Sequence, residues 1–124
     1  MKSKQSKKLV VDVITGSRAD YGLLMPAYKA MQQDSDFGPR WIVTGTHLEK
    51  SFGNTVQIME KDGFEIFAKV KLTIKETTPT LINTYISKAV DGFSKQFTLQ
   101  RPDAILVLGD RYEIFAAAIA AYVL

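Results

Sequence analysis

Ala104-Ile105-Leu106-Val107-Leu108-Gly109-Asp110-Arg111-Tyr112-Glu113, followed by the alanine-rich run from Ile114 to Leu124, reads as a strand, a tight turn and a helix. The five apolar residues 104–108 lack the alternation of a half-exposed strand and are bounded by Pro102-Asp103 and Gly109. That is the pattern of a parallel strand buried on both faces. Gly109 lets the backbone turn sharply at the strand's carboxyl end. Asp110 and Arg111 then fall where strand gives way to helix, the edge at which open parallel sheets bind ligands. Asp110 has a second reading as a simple helix cap, because an aspartate there accepts free backbone N–H groups and favours the helix dipole.

Upstream, the same alternation of strand and helix repeats. Leu9 to Thr15 is a β-branched apolar run interrupted only by Asp12, and it ends at Gly16-Ser17-Arg18-Ala19-Asp20. A helix is expected from about Tyr21 to Gln33, with Asp20 as N-cap and Leu23, Leu24, Ala27, Ala30 and Met31 on its inner stripe. Pro26 requires that this helix begin only a few residues earlier, since proline fits the first turn. Arg40 to Val43 gives a second strand, ending at Thr44-Gly45-Thr46-His47, and Val56, Ile58 and Met59 suit a short helix closed by Gly63. Phe64 to Val70 reads as a third strand, placed toward an edge because its charges need water, and Lys71 to Thr77 as a polar connection. Thr78-Pro79 opens the longest helix, whose apolar positions run from Leu81 to Phe97.

The order βαβαβαβα predicts a parallel α/β sheet, a half-Rossmann three-layer domain with strand order 3-2-1-4. In that order the first and fourth strands are neighbours whose connections leave in opposite directions. The loops Gly16-Ser17-Arg18 and Gly109-Asp110-Arg111 would then wall one crevice. The last helix is apolar almost all round and lacks a C-cap, so the expectation is a chain cut short, with residues 1–8 a flexible basic leader and 9–124 a truncated Rossmann-like domain.

At 124 residues and 23% charged, the chain has the length and composition of one globular domain without a membrane-spanning run. Four of its lysines, at 2, 4, 7 and 8, lie in the leader; without them twelve basic residues face thirteen acidic ones. A near-neutral fold argues against a nucleic-acid surface. Without cysteine, and with His47 the single histidine, no thiolate metal site and no histidine cluster can form. No metal or cofactor is expected. The absence of a secretion signal and of cysteine fits a cytoplasmic protein.

The first loop is neither a dinucleotide fingerprint nor a Walker loop. What it offers is an arginine, Arg18, beside a helix N-terminus, a pairing suited to a phosphate or diphosphate. An ordinary surface arginine near Asp20 accounts for the same residues, and the choice stays open on these grounds. The combination Thr15-Gly16-Ser17-Arg18-Ala19-Asp20-Tyr21-Gly22-Leu23-Leu24, Val43-Thr44-Gly45-Thr46-His47-Leu48, Phe52-Gly53-Asn54-Thr55, Asp62-Gly63-Phe64 and Leu108-Gly109-Asp110-Arg111 resembles the hydrolysing UDP-N-acetylglucosamine 2-epimerases. The resemblance implies the N-terminal domain of a two-domain, glycosyltransferase-B-like fold. It also implies elimination of UDP from the sugar nucleotide and hydration of the glycal to N-acetylmannosamine, on the way to sialic-acid-type sugars. Carried over residue by residue, it makes Asp110 a catalytic carboxylate and Arg18 a ligand of the diphosphate, with Gly16, Ser17, His47 and Arg111 in the substrate site.

A carboxylate partly shielded from water would suit the proton transfer. Glu113, in the first helical turn, is accounted for by the helix dipole, and Asp12 is taken as structural. The resemblance also implies a second catalytic carboxylate and a uridine-binding domain beyond residue 124, so that this chain alone would be inactive. Relatives with the same motifs act on diacetamido sugars of the legionaminic-acid type. A non-catalytic module self-associating through its last helix, and a glycosyltransferase of the same fold, are the competing readings. A UDP-sugar and further copies of the chain are thus the expected partners.

Overall fold

The computed structural model describes residues 7–48, 55–72 and 78–124. The first six leader residues, Phe52-Gly53-Asn54 of the third motif group and residues 73–77 of the polar connection lie outside the described residues. Strands β1 (Leu9–Thr15), β2 (Phe37–Thr44), β3 (Ile66–Val70) and β4 (Ala104–Leu106) form one sheet in the order β3-β2-β1-β4. All three pairings are parallel. Helices α1 (Arg18–Gln33), α2 (Thr55–Lys61), α3 (Pro79–Leu99) and α4 (Tyr112–Val123) alternate with the strands. The expected half-Rossmann sheet and its strand order are what the structure contains.

The two faces of the sheet build separate cores because successive strand side chains point to opposite sides. Val11, Val13, Trp41 and Val43 pack against Tyr21, Leu24 and Tyr28 of α1 and Met59 of α2. Trp41 stacks on Tyr28 with ring centroids 4.3 Å apart, and Phe64 stands edge-on to both. Ile14 and Ile42 face the other way, onto Tyr85, Ala89, Phe93 and Phe97 of α3 and the alanines of α4. Beside them on that face Asp12, fully buried, takes a 2.6 Å bond from Arg40 Nε. The Arg40 guanidinium also covers the Phe67 ring at 4.0 Å and donates to the Gln100 carbonyl.

Helix α1 differs from expectation in three ways. It starts at Arg18, because Ser17 is extended and its Oγ accepts from the Asp20 N–H, while Asp20 accepts from Gly16 N and Ser17 Oγ. Asp20 is therefore the third residue of the helix, its carboxylate reaching back to the Gly16 N–H and the Ser17 hydroxyl, and not the N-cap. Pro26 lies well inside the helix, where it faces solvent; the carbonyl deprived of its donor is that of Gly22, also exposed, which water can reach. The buried stripe is Tyr21, Leu24 and Tyr28, with Leu23, Ala27 and Ala30 outside, because the aromatic rings rather than the alanines meet Trp41.

The remaining boundaries follow from pairing. Strand β2 begins at Phe37 and includes Pro39, opposite Val11, in the half of the strand that β3 does not reach. Proline is tolerated there because no neighbour on that side needs its missing N–H. Gly63, at φ +88°, ends α2 with Phe64 N bonded to the Met59 carbonyl and Gly63 N to the Glu60 carbonyl. This is the paired closure of a Schellman motif. Thr78 caps α3 through Oγ1, as expected from Thr78-Pro79.

Strand β4 is shorter and less covered than its unbroken apolar run predicts: it pairs only over Ala104–Leu106, opposite Val11–Val13, and none of its residues is fully buried. Its outer side is a sheet edge, so one flank meets no neighbour. Helix α4 buries Ile114, Ala116, Ala117 and Ala120 and leaves Phe115, Tyr122 and Val123 exposed. Among the described residues, no helix is long and apolar enough to cross a membrane.

Candidate functional site

The carboxyl ends of β1, β2 and β4 meet at one buried side chain, that of Glu113 in the first turn of α4. Its side chain is 1% exposed. A Cβ added to Gly16, after β1, would stand 2.6 Å from Glu113 Oε1, and one added to Gly45, after β2, would stand 2.9 Å from the same atom. The Gly45 position would also lie 2.7 Å from the Gly16 carbonyl oxygen. Three loops therefore share one rim, and they close to this distance because two of them carry glycine where a side chain would collide. Arg111 Nε donates to Glu113 Oε1 at 2.5 Å, and the Tyr85 hydroxyl approaches Oε2 at 3.4 Å. This bond, more than the field of the carboxylate, holds the Arg111 pKa above its ordinary value, against an opposing effect of burial.

The expected site residues are distributed around that centre. Gly16 is buried and Ser17 half-buried at the end of β1; Arg18, the first residue of α1, is exposed, and neither ion pair nor side-chain hydrogen bond ties it to a described residue. Asp110 is exposed and likewise unpaired. It does not cap α4: the N-cap residue is Arg111, which makes no side-chain capping bond. The helix-cap reading of Asp110 thus fails, and within this chain its carboxylate is open to water. The shielded carboxylate is Glu113. Its signal was in the sequence, since 113, 116, 117 and 120 fall on one helical stripe and the other three are buried alanines. An ionisable residue on such a stripe needs a partner, which the dipole alone does not supply.

His47 is buried in a 3-10 turn, Gly45–Leu48, with both ring nitrogens engaged. Nε2 lies 2.8 Å from Thr15 Oγ1 and Nδ1 lies 2.6 Å from Thr55 Oγ1. The protons can be placed by counting. Thr15 gives its single hydroxyl proton to the Asp20 carboxylate, which has none to return. Thr15 Oγ1 must then accept from His47 Nε2–H, and the neutral ring accepts at Nδ1 from the Thr55 hydroxyl. Burial pushes the His47 pKa below its ordinary 6.5, with Asp20, the Ser17 carbonyl and Glu113 pulling the other way. Sequence reasoning missed Thr15 and Asp20 as members of this network; only the adjacency of β1 and β2 brings them to His47.

A pH dependence follows. Below pH 6.5 the unfolded chain binds a proton at His47 that the folded chain, with its lower pKa, does not. The folded state is accordingly expected to lose stability as pH falls from about 7 through 6.5 toward the folded value, and to hold that contribution in full above it. Urea midpoints of wild type and His47→Gln at pH 7.5 and 5.5 check this: the difference between the two proteins should change with pH, and parallel profiles would refute it.

Elsewhere, a cavity of about 180 Å³ opens at the opposite end of β4, between Phe97, Asp103, Ile105 and Leu124. None of the residues above lines it. Among the described residues no three of His, Asp and Glu are grouped to hold a metal ion.

An open parallel sheet with polar loops gathered outside the carboxyl ends of its central strands defines a doubly wound α/β domain, with its crevice at the point where strand order reverses. The family model described as UDP-N-acetylglucosamine 2-epimerase matches residues 29–124, and the chain belongs to that family. It is 39% identical over 108 residues to polysialic acid biosynthesis protein P7 of Escherichia coli, covering 87% of this chain and 28% of that protein. It is 38% identical over 108 residues to the hydrolysing UDP-N,N'-diacetylbacillosamine 2-epimerase of Legionella pneumophila, covering 87% of this chain and 29% of that one. The fold matches the crystal structure of the Neisseria meningitidis UDP-GlcNAc 2-epimerase bound to UDP-GlcNAc with a TM-score of 0.75 at 17% identity, covering 93% of this chain and 30% of that chain. The chain thus spans less than a third of the length of these relatives.

Proposed function

We propose that this chain forms the N-terminal domain of a hydrolysing 2-epimerase that acts on a UDP-sugar in the cytoplasm, with UDP-N-acetylglucosamine as substrate and N-acetylmannosamine and UDP as products. The observation that supports the reading is the meeting of three loops on Glu113, with Arg111 bonded to it; in this reading Arg18 and Asp110, which lie on two of those loops, share the rim. In this reading Arg18, Arg111 and the free N–H groups at the start of α1, reached past Gly16 and Ser17, take the diphosphate. Asp110, exposed and unpaired among the described residues, is one of the two carboxylates that move protons at the sugar.

Loss of the C2 proton places its electron pair between C1 and C2 as the C1–O bond to UDP breaks. Water then adds across that double bond, oxygen to C1 and a proton to C2 from the opposite face. The second carboxylate and the uridine pocket are assigned to the part of the relatives that this chain does not span. His47, engaged on both sides, serves the substrate site through the Gly45 loop and Thr15. Self-association through Phe115, Tyr122 and Val123 of α4 belongs to the same proposal, as does chemistry without a metal or cofactor. The similarity to the Legionella enzyme favours a diacetamido UDP-sugar as the second substrate reading.

Titration of the ¹⁵N-labelled chain with UDP tests the reading. Amide shifts are expected at residues 16–22 and 109–113, and Arg18→Ala should weaken binding about 10- to 100-fold, the effect of losing a charge-assisted bond. UDP that leaves both loops unmoved would refute the proposal, and shifts without any effect of Arg18→Ala would remove Arg18 from it.

A further inference from the structure

Among the described residues, Arg111 is the rim arginine whose guanidinium is already held. Its Nε bonds Glu113 Oε1 at 2.5 Å, yet the side chain remains 48% exposed. No described residue takes a hydrogen bond from its two terminal nitrogens. A guanidinium fixed along its Nε side still offers an end-on pair of N–H donors, the geometry that matches two oxygens of a phosphate group. Glu113 itself cannot turn away, since Gly16 and Gly45 close over it and α4 lies behind it.

From this we infer that Glu113 is a positioning residue for anion binding: its buried carboxylate locks Arg111 with its terminal N–H pair facing the rim, ready for the phosphate oxygens of a nucleoside diphosphate. The inference rests on the epimerase reading above and extends it to a residue that no substrate atom need touch. The raised Arg111 pKa agrees with a carboxylate acting on the arginine at rest.

The sign of the effect separates positioning from simple electrostatics. A negative charge beneath a phosphate site repels the ligand through space, so if that were all Glu113 did, removing it would tighten binding. A positioning carboxylate does the reverse, because an unanchored arginine must be ordered on binding. The test uses UDP as ligand and three variants. Glu113→Met, similar in size and without an acceptor, should weaken UDP binding about tenfold, the scale expected when a preorganised contact becomes mobile. Glu113→Gln, whose amide oxygen still accepts from Arg111 Nε, should recover most of that loss. In an Arg111→Met background, Glu113→Met should cause no further weakening.

Tighter binding by Glu113→Met, or additive losses in the double variant, would overturn the inference. A second readout needs no ligand and no Met variant: the Arg111 Nε–H should exchange with solvent at least about tenfold more slowly than the Arg18 Nε–H in wild type, with the contrast reduced in Glu113→Gln. Equal exchange at the two arginines would also overturn it. Failure of wild type to bind UDP would count against the epimerase reading and the inference together, whereas normal binding with an indifferent Glu113 would count against the inference alone.

Discussion

Gly45→Ala is expected to cost about 3 kcal/mol of folding free energy, from two separable causes. Gly45 has φ +63°, a conformation in which a Cβ crowds the following carbonyl at a cost of roughly 1–2 kcal/mol. Its added Cβ would also stand 2.7 Å from the Gly16 carbonyl oxygen and 2.9 Å from Glu113 Oε1. The first of these is backbone of the adjacent strand end and cannot swing aside, so overpacking adds about 1–3 kcal/mol. Gly63→Ala isolates the first cause: its φ is +88° and nothing lies within 4 Å of an added Cβ. That variant should lose only about 1–2 kcal/mol. Urea unfolding followed by the fluorescence of Trp41, the single tryptophan and fully buried, measures both. The account fails if Gly45→Ala is no more destabilising than Gly63→Ala. In a domain of ordinary stability, about 5–15 kcal/mol, Gly45→Ala should remain folded but with its three loops forced apart, so UDP binding should weaken as well.

The sheet was legible from the sequence because its determinants are local. Each strand is a short apolar run closed by glycine or a polar loop, and the charges of β3 identify an edge without reference to any other element. The start of α3 was equally legible, since Thr78 and Pro79 act within one turn. Helix α1 was misread at its start because Pro26 has two physical solutions, a first-turn position or an exposed interior position, and only packing selects between them. The inner stripe of α1 was misread for a related reason: Tyr21 and Tyr28 are buried by Trp41 and Phe64, residues more than ten positions away. Strand β4 shows the limit of the apolar-run rule, which reports the hydrophobicity of a strand and not how many neighbours it meets. At the site, loops that follow strands could be counted, but the closeness of Gly16, Gly45 and Glu113 depends on strand adjacency and on one helix being rotated so that residue 113 points inward. His47 could be assigned to the rim by position, whereas its engagement with Thr15 and Thr55 required β1 beside β2.

Away from the site, the second large effect is expected at Arg40. Asp12 lies in the middle of β1, fully buried, and only one of its oxygens has a hydrogen-bond partner among the described residues. Burial raises its pKa above the ordinary 3.8, and the bond and charge of Arg40 oppose that rise. Arg40→Met keeps a side chain over Phe67 but leaves the carboxylate without a counter-charge, and losing one partner of a buried pair costs about 3–5 kcal/mol. The pH dependence distinguishes this from lost packing. With a raised folded pKa, the contribution of Asp12 is fully present below pH 3.8 and is lost as pH rises through the folded value; removing Arg40 moves that value higher still. The cost of Arg40→Met should therefore be greatest near pH 7.5 and shrink toward pH 4.5, where the buried carboxyl takes up a proton instead. Adding Asp12→Asn should recover much of the loss at pH 7.5, because no charge is then left inside the sheet. Denaturant midpoints for the single and double variants at the two pH values decide the matter: a loss that is the same at both, or a double variant no more stable than Arg40→Met, would mean that Arg40 contributes through its bond to the Gln100 carbonyl and its charge over Phe67 rather than through Asp12.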